Sequence, residues 1–274
     1  MMRIKLQDMK KSTVIGLLGG GVLVLGMMLL SPEHISAFFN IPGLIVVIGG
    51  TLAATVVSRP ITDVIRVLRS LPELATDEQP SVEDEIEQLL RVAEWYRHGN
   101  IRAAEKELAH VSNPFLRSGI QLVIDRGPLQ DLTKVLQWRI AGLRAREQAD
   151  TQILRTMATL APAFGMLGTL FGLVHMLSGL GHSGLQEIGA TMAFAMAATL
   201  YGLLAANLVL KPLSIKMERR TQQRLVSMSM LQEGILLLYD RQHPILIRET
   251  LDAYLSHQED VSYQITKLAW VNAA

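Results

Sequence analysis

The sequence has no cysteine among its 274 residues, which excludes disulfide bonds and metal sites built on thiolates. Only 19% of its residues are charged, against 49% that are hydrophobic, and the net charge of +1 gives no reason to expect nucleic acid as a partner. Neither a nucleophile–base set nor a phosphate-binding loop is present. We therefore expect no enzyme, no bound cofactor and no metal site, since the histidines that offer themselves are scattered: His98, His110, His175 and His182.

Charge is missing altogether from four long stretches of the chain. Asp, Glu, Lys and Arg are absent from residues 12–32, 41–58, 156–180 and 188–210. A helix needs about 20 apolar residues to cross the hydrocarbon core of a bilayer, and each stretch reaches or approaches that length. A cleavable signal peptide is the alternative for the first stretch, but no small-residue cleavage site precedes a soluble domain there. The sequence therefore predicts four membrane-spanning helices.

Basic residues are distributed unevenly among the segments that connect these spans. Residues 1–11 hold four, residues 59–155 hold fourteen and residues 211–274 hold eight, whereas residues 32–40 and 181–187 hold none. Lys and Arg concentrate on the cytoplasmic side of membrane proteins. We therefore expect a multi-pass protein of the cytoplasmic membrane, with both termini and the central segment in the cytoplasm.

The segments between and after the spans carry the pattern of helices. Apolar residues recur at helical spacing, and no run alternates with the period of a strand, so the predicted fold is all-α. His98-Gly99-Asn100 predicts a helix end and a turn, and Asn113-Pro114 predicts a helix start. We expect long helices from about Leu129 into the third span, and from the fourth span to His243-Pro244. The predicted organisation is an N-terminal tail with spans one and two (1–58), a cytoplasmic helical loop (59–155), spans three and four (156–210) and a C-terminal cytoplasmic helix and tail (211–274).

The third and fourth spans combine small residues with a few weakly polar ones. Gly165, Gly168 and Gly172 recur along the third span, the last two in G-x-x-x-G spacing, which lets helix backbones approach closely in lipid. Thr169 and Thr199 place hydroxyls in mid-span. A membrane threonine commonly bonds back to its own helix, and a proline such as the one at position 162 commonly marks only a tolerated kink.

None of the four predicted spans contains an Asp or Glu, so none carries a carboxylate. A device driven by cations needs an acidic group at depth to bind and release them, and such groups are kept in membranes chiefly for function. Either the chain moves no cations, or a partner supplies the carboxylate while this chain supplies a wall of small residues and hydroxyls.

Three stretches of the sequence carry a resemblance to a known family. "FFNIPGLIVVIGGTLAAT", "APAFGMLGTLFGLVHML" and "MAATLYGLLAANLVLKPLSIKMERR" resemble the A subunits of bacterial flagellar motor stators, the MotA/PomA type within the MotA/TolQ/ExbB group. The cytoplasmic "HVSNPFLRSGIQLVID" extends this likeness, which covers nearly the whole chain. The resemblance implies an ion-conducting subunit that couples Na⁺ or H⁺ flow to torque, in a ring of five copies around a B-type subunit with a transmembrane Asp.

The resemblance also implies roles for particular residues. Pro162 and Pro212 match the prolines linked to coupling ion flow to cytoplasmic movement. Thr169 and Thr199, with Tyr201 nearby, match the ion path, where Thr169 favours sodium. A contact with the rotor's switch protein is implied for Arg97 and Glu105.

At some positions the sequence departs from the family pattern, and these departures do not decide whether the transported ion is sodium or a proton. Asn40 stands where sodium-type relatives carry an acid, and His98 where they carry a lysine. The family's "VDG" appears as Ile124-Asp125-Arg126. Alternative functions are an ExbB/TolQ-like energising subunit for envelope transport, or a passive channel or scaffold without coupling.

Overall fold

The computed structural model describes residues 19, 26, 39–76, 82–179 and 184–255, and every regular element in these ranges is a helix. The all-α prediction is therefore confirmed for this part of the chain. In chain order the elements are α1 (Ile41–Ser58), α2 (Ile61–Thr76), α3 (Val82–Arg97), α4 (Ile101–Leu108), α5 (Pro114–Ile124), α6 (Leu129–Gly179), α7 (Leu185–Leu204), a π-helical segment (Ala205–Leu210), α8 (Lys211–Tyr239) and α9 (244–255).

Three of these elements match the predicted spans two, three and four. Helix α1, helix α6 and the continuous stretch Leu185–Tyr239 are each long and apolar enough to cross a membrane. The predicted first span, residues 12–32, lies outside the described residues except for Gly19 and Gly26, which are both helical. The described residues therefore contain three candidate spans, and the first span stays a prediction.

Helix boundaries follow the capping residues of the sequence. Asn40 caps α1 by accepting a hydrogen bond from the Gly43 amide at 3.0 Å. Asn113 caps α5 in the same way, and Pro114 opens that helix where its missing N–H costs nothing. Helix α3 ends at Arg97, before Gly99, whose positive φ of 76° suits glycine. The predicted turn at 98–100 and helix start at 113–114 are confirmed.

The chain divides into two compact units, each with a core of its own. The first comprises Met1–Glu78 and Glu147–Arg219, and the second comprises Gln79–Arg146 and Arg220–Ala274. Helix α2 lies with the membrane helices in the first unit, and most of α8 lies with the central loop in the second. The predicted four-part organisation stays a prediction.

Helix α2, which the sequence did not single out, packs on α6 in the first unit. Val64 and Val67 are buried there against Ile153 and Leu154. Beside this contact Arg66 donates to Asp150 of α6 at 2.6 Å and to Asp63 of its own helix at 2.8 Å, so one guanidinium forms ion pairs with both helices. The Asp150 hydrogen bond raises the pKa of Arg66 further, so the guanidinium stays charged.

The second unit holds a buried carboxylate in the first turn of α3. Glu85 is 4% exposed, and its Oε1 accepts a hydrogen bond from Asn113 Nδ2 at 2.6 Å. Burial raises the pKa of Glu85; the Asn113 hydrogen bond lowers it, and the charge of Asp84 adds to the rise. The same Asn113 caps α5, so this contact ties the start of α3 to the start of α5.

We predict that Glu85 makes the protein less stable as pH rises through its titration range. Because the folded-state pKa lies above the ordinary value of 4.5, the native state binds more protons than the unfolded state there. The free energy of unfolding therefore falls between that value and the folded pKa, and Glu85→Gln removes the fall. Thermal unfolding of the full chain in detergent, repeated across pH, measures it.

The control for this experiment is Glu83→Gln, which changes an exposed carboxylate in the same helical turn. This variant should keep the pH dependence of the wild type. An unchanged slope in Glu85→Gln would show that the buried carboxylate does not contribute to it.

Candidate functional site

Helices α6 and α7 approach each other so closely that Gly165 and Gly202 leave no room for a side chain of their own. A Cβ atom on Gly202 would lie 2.7 Å from the Ala161 carbonyl oxygen, and one on Gly165 would lie 3.0 Å from the Ala198 carbonyl oxygen. Gly168 and Gly172 face the methyl groups of α7 alanines in the same way. The glycines predicted for helix packing therefore meet a neighbouring helix of the same chain. Contacts between copies of the chain must use other faces.

This close approach brings two hydroxyl groups together. Thr169 Oγ1 and Thr199 Oγ1 form a short hydrogen bond across the α6–α7 contact. Thr169 also lies within hydrogen-bond distance of the carbonyls of Gly165 and Ala195, at 3.2 Å each, and Thr199 lies 3.3 Å from the Gly165 carbonyl. Both side chains are half-buried. Residues that are 30 positions apart in the sequence thus share one cluster of oxygen atoms.

Tyr201 holds the beginning of α1 rather than joining the threonine pair directly. Its hydroxyl oxygen accepts a hydrogen bond from the Asn40 amide at 2.7 Å. The first amides of a helix have no partner within the helix, so an outside acceptor such as this phenol is favourable. The Asn40 side chain meanwhile caps α1. The position where the family pattern has an acid is therefore next to a residue of the predicted ion path.

The chemistry available at this oxygen cluster is neutral. Hydroxyl and carbonyl oxygens can replace water around a hard cation, or pass a proton along reoriented hydrogen bonds. They carry no charge to balance the ion, and no group of three or more acidic or histidine side chains that could hold a metal occurs among the described residues. The arrangement can guide a cation past, but it needs a carboxylate from elsewhere to hold one.

The helix that follows the cluster widens just before Pro212. The Lys211 amide donates to the Ala206 carbonyl, five residues back, and this gives a π-helical segment from Ala205 to Leu210. Proline has no N–H and its ring collides with the carbonyl four residues earlier, so a widened turn relieves the clash. Pro162 leaves α6 unbroken, next to the Ala161–Gly202 contact. The π segment was not predicted from the sequence.

One polar residue of the fourth span was also missed. Asn207 lies inside the π segment, is exposed, and donates from its side chain to the Leu203 carbonyl at 3.1 Å. The signal was available, because it is the only Asn or Gln within residues 188–210.

The two residues predicted to contact the rotor lie on different helices of the second unit. Arg97 is the last residue of α3, and Glu105 lies in α4, which Asn100 caps by accepting from the Ala103 amide at 3.2 Å. Ala104 and Leu108 turn toward the core, so Glu105 is left exposed, as is Arg97. Both charges therefore stand at the surface on either side of the Gly99 turn.

Comparison with known proteins finds a family to which these elements are similar. A profile described as the MotA/TolQ/ExbB proton channel family matches residues 107–230, from α4 to α8, which include both prolines and both threonines. Over these residues the chain is similar to that family. Members of the MotA/TolQ/ExbB group are ion channels rather than enzymes, and this likeness, together with the long apolar helices, supports a protein of the inner membrane.

Individual proteins that are similar to this chain match over most of its length. The chemotaxis protein PomA of Vibrio alginolyticus is 29% identical over 248 residues, which are 90% of this chain and 96% of the relative. Motility protein A of Aquifex aeolicus is 28% identical over 243 residues, which are 88% and 94% of the two chains. Among solved structures, the flagellar MotAB stator complex from Bacillus subtilis matches with a TM-score of 0.79 at 24% identity, covering 92% of this chain and 99% of that one. This likeness confirms the fold.

We predict that Gly202→Ala destabilises the protein. The new methyl group would press on the Ala161 carbonyl, and because that atom is backbone, the two helices have to move apart. Overpacking of this kind costs about 1–3 kcal/mol. Unfolding of the full chain in detergent measures the loss. Gly189→Ala, in the same helix with open space around the new Cβ, is the matched control. Equal stability of the two variants would contradict the close contact.

Proposed function

We propose that this chain is the ion-conducting A subunit of a flagellar motor stator, which couples the flow of Na⁺ or H⁺ to torque on the rotor. The observation that carries the proposal is the oxygen cluster at Thr169 and Thr199, placed between helices without any acidic side chain. Relatives named as chemotaxis and motility proteins match almost the whole chain. Two solved structures that share this fold are MotAB stator complexes.

A B-type subunit supplies the missing charge. A cation that leaves water for a neutral environment loses several kcal/mol of solvation, and a transmembrane Asp offsets this loss. The membrane stretches of α1, α6 and α7 contain no acid of their own within residues 41–58, 156–180 and 188–210. The partner's Asp would pass the threonine pair, which offers neutral ligands while the ion is exchanged.

Five copies of the chain form the wall around that partner. One charge moving through about 100 mV releases about 2.3 kcal/mol, so the motion that it drives must have a low barrier. Rotation of a ring with a smooth inner wall fits this limit. The outer faces of the span helices carry exposed apolar side chains for neighbouring copies and lipid, among them Leu170, Phe171, Val174 and Leu177 on α6.

Coupling to the cytoplasm runs through the two prolines. Pro162 lies beside the closest backbone contact, and Pro212 follows the π segment, where the hydrogen bonding of the helix is already altered. The distribution of Lys and Arg orients the chain with both termini in the cytoplasm. Arg97 and Glu105 then meet oppositely charged groups on the rotor's switch protein.

The family also includes subunits that energise envelope transport, so a client other than the flagellum is the second candidate. The motility relatives, which match over about nine-tenths of the chain, favour the flagellum. A neighbouring gene that encodes one span and a peptidoglycan-binding domain is expected for the flagellar role.

The experiment that tests the proposal is complementation. The chain is expressed with its B-type partner in a motile bacterium that lacks its own stators, and swimming speed is measured while external sodium varies at constant pH. We expect swimming to be restored, with a speed that rises with sodium if Thr169 marks a sodium path. Membrane-inserted complexes that never restore rotation would contradict the proposal.

We predict that Thr199→Val reduces ion-driven rotation without preventing insertion. Valine keeps the shape of the side chain but removes the oxygen that bonds Thr169, and loss of such a ligand corresponds to about a tenfold slower ion step. Stall torque and swimming speed in the complementation strain measure the effect. Thr199→Ser, which keeps the hydroxyl, should retain most of the activity.

Thr191→Val is the matched control, because Thr191 lies in the same helix and, within the part of the chain that the structure describes, its hydroxyl bonds back to the Glu187 carbonyl alone. It should swim like the wild type. Equal impairment by the two valine variants would remove the special role of the threonine pair.

A further inference from the structure

Two helices of the second unit end on an arginine in a conformation that normally belongs to glycine. Arg126 follows α5 with φ 58°, and Arg241 follows α8 with φ 54°. In each case the arginine amide and the next amide close the helix, for Arg241 by donation to the Leu238 carbonyl at 3.0 Å. Left-handed backbone is unfavourable for a residue with a Cβ atom. If only a helix end were needed, glycine would serve better, as Gly99 does at the end of α3.

The two arginines differ in what their side chains contact. The Arg241 guanidinium lies over the ring of Tyr96, 5.4 Å from the ring centroid, in a cation–π contact. Among the residues that the structure describes, no corresponding aromatic contact is found for Arg126. The contact of the Arg241 side chain with Tyr96 is therefore a reason for an arginine at this strained position. Arg126 has the same strained backbone without such a contact.

Tyr96 is held from two directions at the last turn of α3. Its ring is buried, at 6% exposure, and its hydroxyl donates to the Val123 carbonyl at 3.3 Å, near the end of α5. The guanidinium of Arg241 covers the ring from the end of α8. The ends of three helices are therefore joined through one side chain.

The residues that follow Tyr96 orient Arg97 and Glu105, the two charges proposed to contact the rotor's switch protein. Arg97 is next in the chain and is exposed, and Gly99 has open space around it. The turn closes with the Gly99 amide donating to the Tyr96 carbonyl at 3.1 Å, and Asn100 then caps α4, which carries Glu105. An unsupported glycine turn leaves this surface free to reorient. Fixing Tyr96 fixes the platform from which both charges project.

We propose that Arg241 is a positioning residue, which holds Tyr96 and thereby sets the direction of Arg97 and of the α3–α4 turn toward an oppositely charged protein surface. The proposal rests on the proposed function, since that surface belongs to the rotor. It assigns the end of α8 a part in transmitting force, although Arg241 itself need not contact the rotor.

The test compares Arg241→Gly with Arg126→Gly in the full chain with its B-type partner. Both variants relieve a left-handed backbone, but only the first removes a side chain from Tyr96. Two quantities are measured: hydrogen exchange of the amides at 99–101, and the speed increment that each stator unit adds at high load. The increment is informative because poor folding lowers the number of units rather than the torque of each one.

We expect Arg241→Gly to speed exchange at 99–101 by about two- to fivefold and to lower the increment per unit, while Arg126→Gly changes neither. Arg241→Lys, which keeps a cation over the ring, should restore part of both. Unchanged exchange in Arg241→Gly, or faster exchange with a normal increment, would overturn the proposal. If the wild type drives no rotation at all, the proposed function fails, while the exchange comparison still tests the contact.

Discussion

The contact between the backbones of α6 and α7 is the constraint on which the rest of the membrane part depends. Gly165 and Gly202 leave room for carbonyl oxygens and Cα atoms where side chains would otherwise stand. Only at this separation can the hydroxyls of Thr169 and Thr199 bond each other. Helix α1 also packs closely at a glycine, because Gly43 lies against the α7 backbone at Ala198. In lipid, where apolar faces gain nothing by hiding from water, such close packing supplies much of the attraction between helices.

The second feature of the α6–α7 contact is that its oxygen atoms belong to uncharged hydroxyl and carbonyl groups. A carboxylate in the α6–α7 contact would need a partner in every state of the machine, and it would hold a cation tightly in each of them. Hydroxyl and carbonyl oxygens bind weakly enough to let an ion move on. Placing the charge on another chain separates the wall from the carrier. In the proposed function, the ion binds only while the two chains are in register, and this makes relative movement of the chains part of the transport step.

Much of this arrangement could be predicted from the sequence, and the rest depends on contacts between distant residues. Charge-free runs located three of the helices that the structure describes, and Asn113-Pro114 marked a helix start, because both signals are local. The short bond between Thr169 and Thr199 required two helices to be brought together. Similarly, nothing near Asn40 indicates that its amide bonds Tyr201, 161 residues away. The π segment follows from Pro212 only in hindsight, since a proline can equally kink a helix. The left-handed arginines gave no signal, because sequence patterns at helix ends lead one to expect glycine.

In the proposed complex this chain forms the neutral wall of the ion path and its partner brings the charge. Cation flux into liposomes, driven by about 100 mV, separates the two contributions when the full chain is reconstituted alone and together with the B-type subunit. We expect no selective flux from the chain alone, flux from the complex, and loss of flux when the partner's transmembrane Asp is replaced by Asn. Selective conduction by the chain alone, at the rate of the complex, would contradict this division of roles.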